Sequence, residues 1–346
     1  MAAITNERQA PPSGFRRWWR RSGTTRLAWL YLAPAFIVMG IITFYPLFYQ
    51  VWMSLTNYGI ASLNPNSPRY VEPAFVGIQN YSQIFTGELP VAIANFSFWN
   101  VLAFNLIWTF TNVPFHVVIG VLIAVLLNVK GLWFKRFYRA IYILPIVLPS
   151  LVIAVVWRNM FDSQYGAINQ FLSIFTHIFG GEPVTIRWME QVEPVIGTFG
   201  TALSLPLSYF ALLICNIWLG WPFMTIVATG ALQSIPGDLY EAASIDGASS
   251  RQSFFKITVP LLRPAMIPAA VYGIVATFNL FNLIYLMSQG GPLRQTEILV
   301  TTAYRLVNEQ RLYGSAAAFS VIIFFVLLIL TLITNRVTKA TERYDL

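Results

Sequence analysis

Amide and aromatic side chains stand inside apolar stretches of this sequence, where a purely lipid-facing helix has no use for them. In Asn216-Ile217-Trp218-Leu219-Gly220-Trp221-Pro222-Phe223, the residues Asn216, Gly220 and Phe223 fall on one helical face, because positions three and four apart align. In Thr277-Phe278-Asn279-Leu280-Phe281-Asn282, Asn279 and Asn282 lie three apart. An amide donates and accepts hydrogen bonds at once, which suits a hydroxyl-rich solute such as a sugar. The rings of Phe223 and Phe278 suit the apolar faces of a pyranose. The same residue types also serve as glue between membrane helices, so both roles stay open at this point.

A second constellation is the polar run 236–260, between two hydrophobic segments. Asp238, Glu241 and Asp246 precede Arg251 and Lys256. Pro236 suits the first turn of a helix, with Ser234 as its cap. A short helix follows over 239–245, and Gly247 breaks it by taking positive φ. Ser249 and Ser250 cap a second short helix, which Pro260 ends or separates from the next segment. The pattern predicts a helix-turn-helix built to be gripped by another protein.

Several chemistries are missing. None of the four lysines, Lys130, Lys135, Lys256 and Lys339, follows a glycine, so there is no phosphate-binding G-x-x-x-x-G-K-[ST] loop. The cores of the apolar segments carry no Asp, Glu, Lys or Arg to relay ions, and Arg158 stands at the end of one. His116 is alone in its segment and reads as a hydrogen-bonded packing residue. His177 is the only other histidine, so no metal site is expected. With no catalytic cluster either, the chain reads as a pathway rather than an enzyme, driven by another polypeptide.

The elements that position these residues follow from composition. With 56% hydrophobic and only 10% charged residues, the chain is an all-α integral membrane protein. Six spans are expected, at about 27–55, 94–129, 140–157, 202–232, 265–287 and 314–333. Pro34 and Pro46 are expected to kink the first, and Pro145 and Pro149 lie in the third. The organisation is a basic tail 1–26, a membrane domain 27–335 containing the 236–260 segment, and a tail 336–346. Arg16, Arg17, Arg20 and Arg21 flank Trp18-Trp19, as suits a headgroup layer, and Trp157 is a further boundary anchor. Sixteen of the lysines and arginines lie in the two tails, the 130–139 connection and the segment after the fourth span, against six in the opposite loops. The positive-inside rule then places both termini and the 236–260 segment in the cytoplasm. The net charge of +8 is thus topology, and no nucleic-acid partner is expected.

Glu241-Ala242-Ala243, then Asp246-Gly247-Ala248, Phe254, Ile257 and Pro260, together resemble the EAA loop of bacterial ATP-binding-cassette importer permeases. Val259 departs mildly, standing where that pattern usually has leucine. Over about 27–336 the chain is similar to the MalF-type subunits of carbohydrate importers. The stretches that carry this are Tyr142-Ile143-Leu144-Pro145, Asn216 to Pro222, Phe278-Asn279-Leu280-Phe281 and Ser288-Gln289-Gly290-Gly291-Pro292.

The resemblance implies that the 236–260 segment is a coupling helix seated in a cleft of an ATPase subunit, with Glu241 facing a basic group there. It implies a solute path at Asn216, Leu219, Gly220, Phe223, Gly273, Ala276, Thr277 and Leu280. Phe223 replaces a tyrosine, and Thr277 and Leu280 replace asparagines, of the maltose pattern, which makes maltose itself doubtful and leaves a di- or oligosaccharide. The implied partners are a second, MalG-like permease subunit, two ATPase subunits, an external solute-binding protein and membrane lipid. ATP and magnesium would be bound by the ATPases, with no cofactor in this chain, in a bacterial inner membrane. Two alternatives are import of glycerol phosphate or a polyol by the same architecture, and an autonomous secondary carrier.

Overall fold

The computed structural model of the 346-residue chain describes residues 14–89, 96–129, 131–198, 201 and 204–338, with side chains from residue 27 onward. The expectations for the tail 1–13, Lys130, the span starts at 94 and 202, and 339–346 lie outside the described residues. So do the side chains of Arg16, Arg17, Trp18, Trp19, Arg20 and Arg21. Among the described residues five helical segments are long and apolar enough to cross a membrane, or six if one bent pair counts as a span.

The chain divides into two units, Met1–Met53 and Ser54–Leu346. In the first, α1 (Gly14–Met39) runs through Pro34 into a π turn (Gly40–Phe44) and α2 (Tyr45–Ser54). Proline lacks an N–H and its ring crowds the carbonyl four residues back. The π turn makes room ahead of Pro46, since Tyr45 N–H reaches back five residues to the Gly40 carbonyl. The helix is therefore re-registered rather than broken. Leu30, Tyr31, Ile41, Ile42 and Phe48 are exposed, as befits a lipid-facing span.

The second unit is organised on α4 (Phe98–Asn128), which takes part in all three of its apolar clusters. Val101 and Val113 meet Phe278, Leu299 and Phe319 in one, alongside Ile84 of α3 (Gln79–Thr86). Phe104 and Trp108 meet Ile153, Tyr209, Leu212 and Leu283 in the second. Ala124 meets Met224, Ala228 and Met266 in the third. Its principal neighbour is α8 (Leu207–Gln233). At Gly120 the two helices approach so closely that a Cβ would stand 2.4 Å from Met224 Cβ. Thr225 Oγ1 donates to the Gly120 carbonyl at 3.1 Å across the same contact. Small residues permit such approach in membranes.

The third expected span is two helices, α5 (Lys135–Val147) and α6 (Ser150–Met160), bent by 98°. Pro149 explains the corner, because the residue before a proline is pushed out of the α region, and Leu148 is extended (φ −76°, ψ 136°). The 159–201 loop holds α7 (Ala167–Ile178) and β1 (Pro194–Gly197). The latter pairs antiparallel with β2 (Ser204–Pro206), and the helix of the fourth span runs from Leu207. Trp157 packs on Trp218 at 5.8 Å and on Phe161, half-buried rather than free at a boundary.

After α8 come α9 (Asp238–Ile245) and α10 (Ser250–Ser253). Ser234 does not cap α9. It ends α8, its Oγ donating to the Ala231 carbonyl at 2.8 Å, and Pro236 lies ahead of α9 rather than in its first turn. Pro260 does not end α10 either. A π turn (Phe254–Thr258) leads into α11 (Val259–Phe278), with Val259 N–H on the Phe254 carbonyl and Pro260 next. This is the device used before Pro46. The fifth span is therefore longer than expected, but it breaks after Phe278 and resumes as α12 (Phe281–Met287). The polar 293–313 stretch carries α13 (Leu299–Asn308), and α14 (Tyr313–Thr338) is the last span.

Ser249 caps α10 as expected, within a reciprocal capping box with Gln252. Ser249→Ala is expected to cost about 1 kcal/mol, seen as faster hydrogen exchange at Gln252 and Ser253 with the transmembrane amides unchanged.

Candidate functional site

The polar residues of α4 are spaced as one helical face: Asn105, Thr109, Asn112 and His116, all buried. That face looks toward α8 and α11, and it accounts for much of what lies between them. His116 Nε2 is 2.9 Å from the Asn216 carbonyl. Its ring lies so close to Gly220 that a Cβ there would come within 2.2 Å of Cε1. Glycine at 220 is thus required by the imidazole, and the expected packing role of His116 is fulfilled there.

Beside this contact is a cavity of about 180 Å3. From α8 it is lined by Asn216, Leu219, Gly220 and Phe223, and from α11 by Gly273, Ala276 and Thr277, with Leu280 at the break. These are eight of the ten path residues singled out in the sequence. His116, Ser150, Met224 and Tyr272 complete the wall. The Phe223 and Tyr272 rings of this wall pack against each other, 5.3 Å between centroids. Asn216 is buried, and its Nδ2 has no hydrogen-bond partner among the described residues, so this wall residue holds an unsatisfied amide donor.

Asn279 and Asn282 are not part of that wall, and they do not share a helical face. Asn279 caps the end of α11 and Asn282 lies in the first turn of α12, on the other side of the break. Asn282 Nδ2 instead donates to Ser150 Oγ at 3.1 Å, holding a lining hydroxyl from behind. Phe278 is fully buried in the core and offers no stacking face.

The break itself is fastened by α4. Trp108 Nε1 donates to the Thr277 carbonyl at 3.1 Å and Asn105 Nδ2 to the Phe278 carbonyl at 3.1 Å. Asn105 Oδ1 accepts the Leu299 N–H at 2.9 Å, at the start of α13. One side chain thereby satisfies a helix end and a helix beginning, 194 residues away in sequence from the latter. These fastening residues were missed from sequence, although the four-three-four polar spacing in α4 was the available signal.

Between α12 and α13 the chain turns over a buried carboxylate. Glu297 lies 2.6 Å from Arg305 Nε and 3.8 Å from Arg294 Nη1. Burial pushes its pKa above the usual carboxylate value, with Arg294 and Arg305 pulling the other way. Gly290 has positive φ (77°), and a Cβ there would stand 2.4 Å from Glu297 Cγ.

At the opposite end of α8 and α11, the segment resembling the EAA loop leaves no residue of α9 buried. Glu241, Ala242 and Asp246 are exposed, and Ile245 is 87% exposed. Gly247 (φ 79°) closes α9 with Ala248 N–H on the Ala243 carbonyl at 2.8 Å, the reversed turn that favours glycine. Phe254 and Ile257 fall in the π turn and Pro260 in the first turn of α11. Ala243, Asp246, Gly247, Ala248 and Ile257 line a cleft between the two arms, together with Lys256. Tyr240 Oη and Thr258 Oγ1 are 2.9 Å apart, tying α9 to the foot of α11. Among the described residues no group of three potential metal ligands occurs.

A family profile described as "Binding-protein-dependent transport system inner membrane component" matches residues 116–343. The galactooligosaccharides transport system permease protein GanP of Bacillus subtilis is 33% identical over 313 residues, covering 89% of this chain and 69% of that one. The trehalose/maltose transport system permease protein MalF of Thermococcus litoralis is 30% identical over 316 residues, covering 91% and 94%. In fold, the chain is similar to a bacterial ABC transporter involved in the import of alginate. The TM-score is 0.73 at 20% identity, covering 94% of this chain and all of that one.

Proposed function

Since this chain belongs to the binding-protein-dependent transport system inner membrane components, we propose that it lines half of an import path for a di- or oligosaccharide. One observation carries the proposal: α8 and α11, which form two walls of the cavity, are the helices joined by α9 and α10. A push on α9 passes directly to α8 through 234–237 and to α11 through Tyr240 and Thr258. The exposed surface of α9 suits a cytoplasmic ATPase, and Glu241 is the residue for its basic group.

The sugar reading is supported by the unpaired amide of Asn216, the Ser150 hydroxyl and the aromatic pair Phe223 and Tyr272. It agrees with the names of relatives that carry galactooligosaccharides, maltodextrin and trehalose/maltose. Among the described residues no lysine or arginine lines the cavity, which speaks against glycerol phosphate. A second permease subunit supplies the other half of the path, two ATPase subunits bind ATP and magnesium, and an external binding protein delivers the solute. The 236–260 segment and both termini then face the cytoplasm.

The test uses vesicles holding the complete complex and labelled malto- or galacto-oligosaccharide. Uptake is expected to require ATP and to fall about tenfold or more in Gly247→Val, because a β-branched residue at positive φ is a severe outlier. The ATPase subunits should still co-purify with that variant. Normal uptake by the variant would overturn the lever, and uptake into vesicles holding this chain alone would overturn the importer reading.

A further inference from the structure

The 161–206 segment and the α9–α10 segment lie at opposite ends of α8, and therefore on opposite sides of the membrane. Within the former, α7 presents two unlike faces. One is tied to its own loop: Asn169 Nδ2 donates to the Ser163 and Ile186 carbonyls, and its Oδ1 accepts from Trp188 Nε1 at 2.8 Å. Ser173 Oγ, on the same side, accepts the Val184 N–H at 2.9 Å. The other face carries Phe171, Ile174, Phe175 and Ile178, spaced three, one and three, which is a single apolar stripe. Their exposures run from 48 to 69%, too high for a stripe of this kind facing water.

We propose that α7 lies flat in the membrane surface opposite α9–α10, with Phe171, Ile174, Phe175 and Ile178 immersed among lipid chains. Two observations choose lipid over a protein partner. The stripe continues a lipid-type surface, because α7 packs on α6, where Leu151, Val152, Val155 and Val156 are exposed within a membrane segment. No Asp, Glu, Lys or Arg occurs over 163–181, whereas a protein-binding patch has a polar rim. At 12 residues α7 is about 18 Å long, too short to span a core of about 30 Å but suited to lying in its plane. Without basic residues, its attachment rests on apolar contact and not on anionic headgroups.

The test places single cysteines at Phe171, Ile174, Phe175 and Ile178, and at Gln170 and His177 as controls. Each is labelled with a small fluorophore in the complete transporter in phosphatidylcholine vesicles. Buried Cys215 stays in place, and protein without added cysteine gives its background. Doxyl-labelled lipid should quench the four stripe positions severalfold more than the two controls, and aqueous iodide should show the reverse order. Adding phosphatidylglycerol should leave the pattern unchanged. Iodide quenching of the stripe equal to that of Gln170 would overturn the proposal, because the face would then be in water. Shielding from both quenchers would also overturn it, because protein would then cover the face. Neither outcome bears on whether the solute is a sugar.

Discussion

Asn105→Leu is expected to destabilise the chain by about 2–6 kcal/mol, since it orphans two buried backbone groups worth about 1–3 kcal/mol each. The leucine has nearly the same size, so the loss comes from hydrogen bonds and not from an emptied volume. The Phe278 carbonyl loses its donor and the Leu299 N–H its acceptor, both inside a membrane protein where water is scarce. The effect should be local before it is global. Hydrogen exchange over 279–299 should accelerate, while α4 and α8 below the cavity stay protected. Asn112→Leu is the control, since among the described residues Asn112 donates only to the Trp108 carbonyl of its own helix and its Oδ1 has no partner. If melting in lipid nanodiscs falls equally for the two variants, Asn105 is not the fastener described above.

That fastening is what the sequence least discloses. The order of apolar and polar segments was legible, because a bilayer demands about 20 apolar residues per span and leaves few other ways to arrange them. The turn at Gly247 and the cap at Ser249 were legible too, since each is a local matter of φ or of one hydroxyl. Prolines misled in both directions. Pro149 turns its span through 98°, whereas Pro46 and Pro260 are absorbed by π turns that no residue type announces. The break after Phe278 has neither proline nor glycine at it. It is set by Asn105 and Trp108, more than 160 positions away, so no window on the fifth span could reveal it. For the same reason Asn279 and Asn282, three apart in sequence, do not share a face. Of the cavity residues on α8 and α11, Asn216, Gly220 and Phe223 were legible from amide and aromatic spacing, whereas Leu219, Gly273, Ala276 and Thr277 were found through resemblance. Ser150, Tyr272 and His116 were not, because each enters from an element or a helix face that only tertiary packing brings there.

Gly220→Ala is expected to cut solute uptake about tenfold, the equivalent of about 1.4 kcal/mol at the working conformation. The added methyl would stand 2.2–2.4 Å from three atoms of the His116 ring, and overpacking of this kind costs about 1–3 kcal/mol. The ring cannot yield without giving up its contact with the Asn216 carbonyl, and Asn216 is a residue of the cavity wall. Gly273→Ala, on the opposite wall, is the useful contrast. There the methyl is crowded only by Met224 Cε, at 2.8 Å, the end of a flexible side chain that can swing aside, and the Val113 methyls at 3.7 and 3.9 Å are at ordinary contact distance. Melting should therefore drop clearly for Gly220→Ala and little for Gly273→Ala. Adding His116→Ala to Gly220→Ala removes the ring that the methyl strikes, so the double variant should melt above the Gly220→Ala single. The coupling energy in that cycle is expected at about 0.5–3 kcal/mol. If His116→Ala gives no relief, the glycine is required by something other than the imidazole, and the wall between α4 and α8 is not the rigid side of the path.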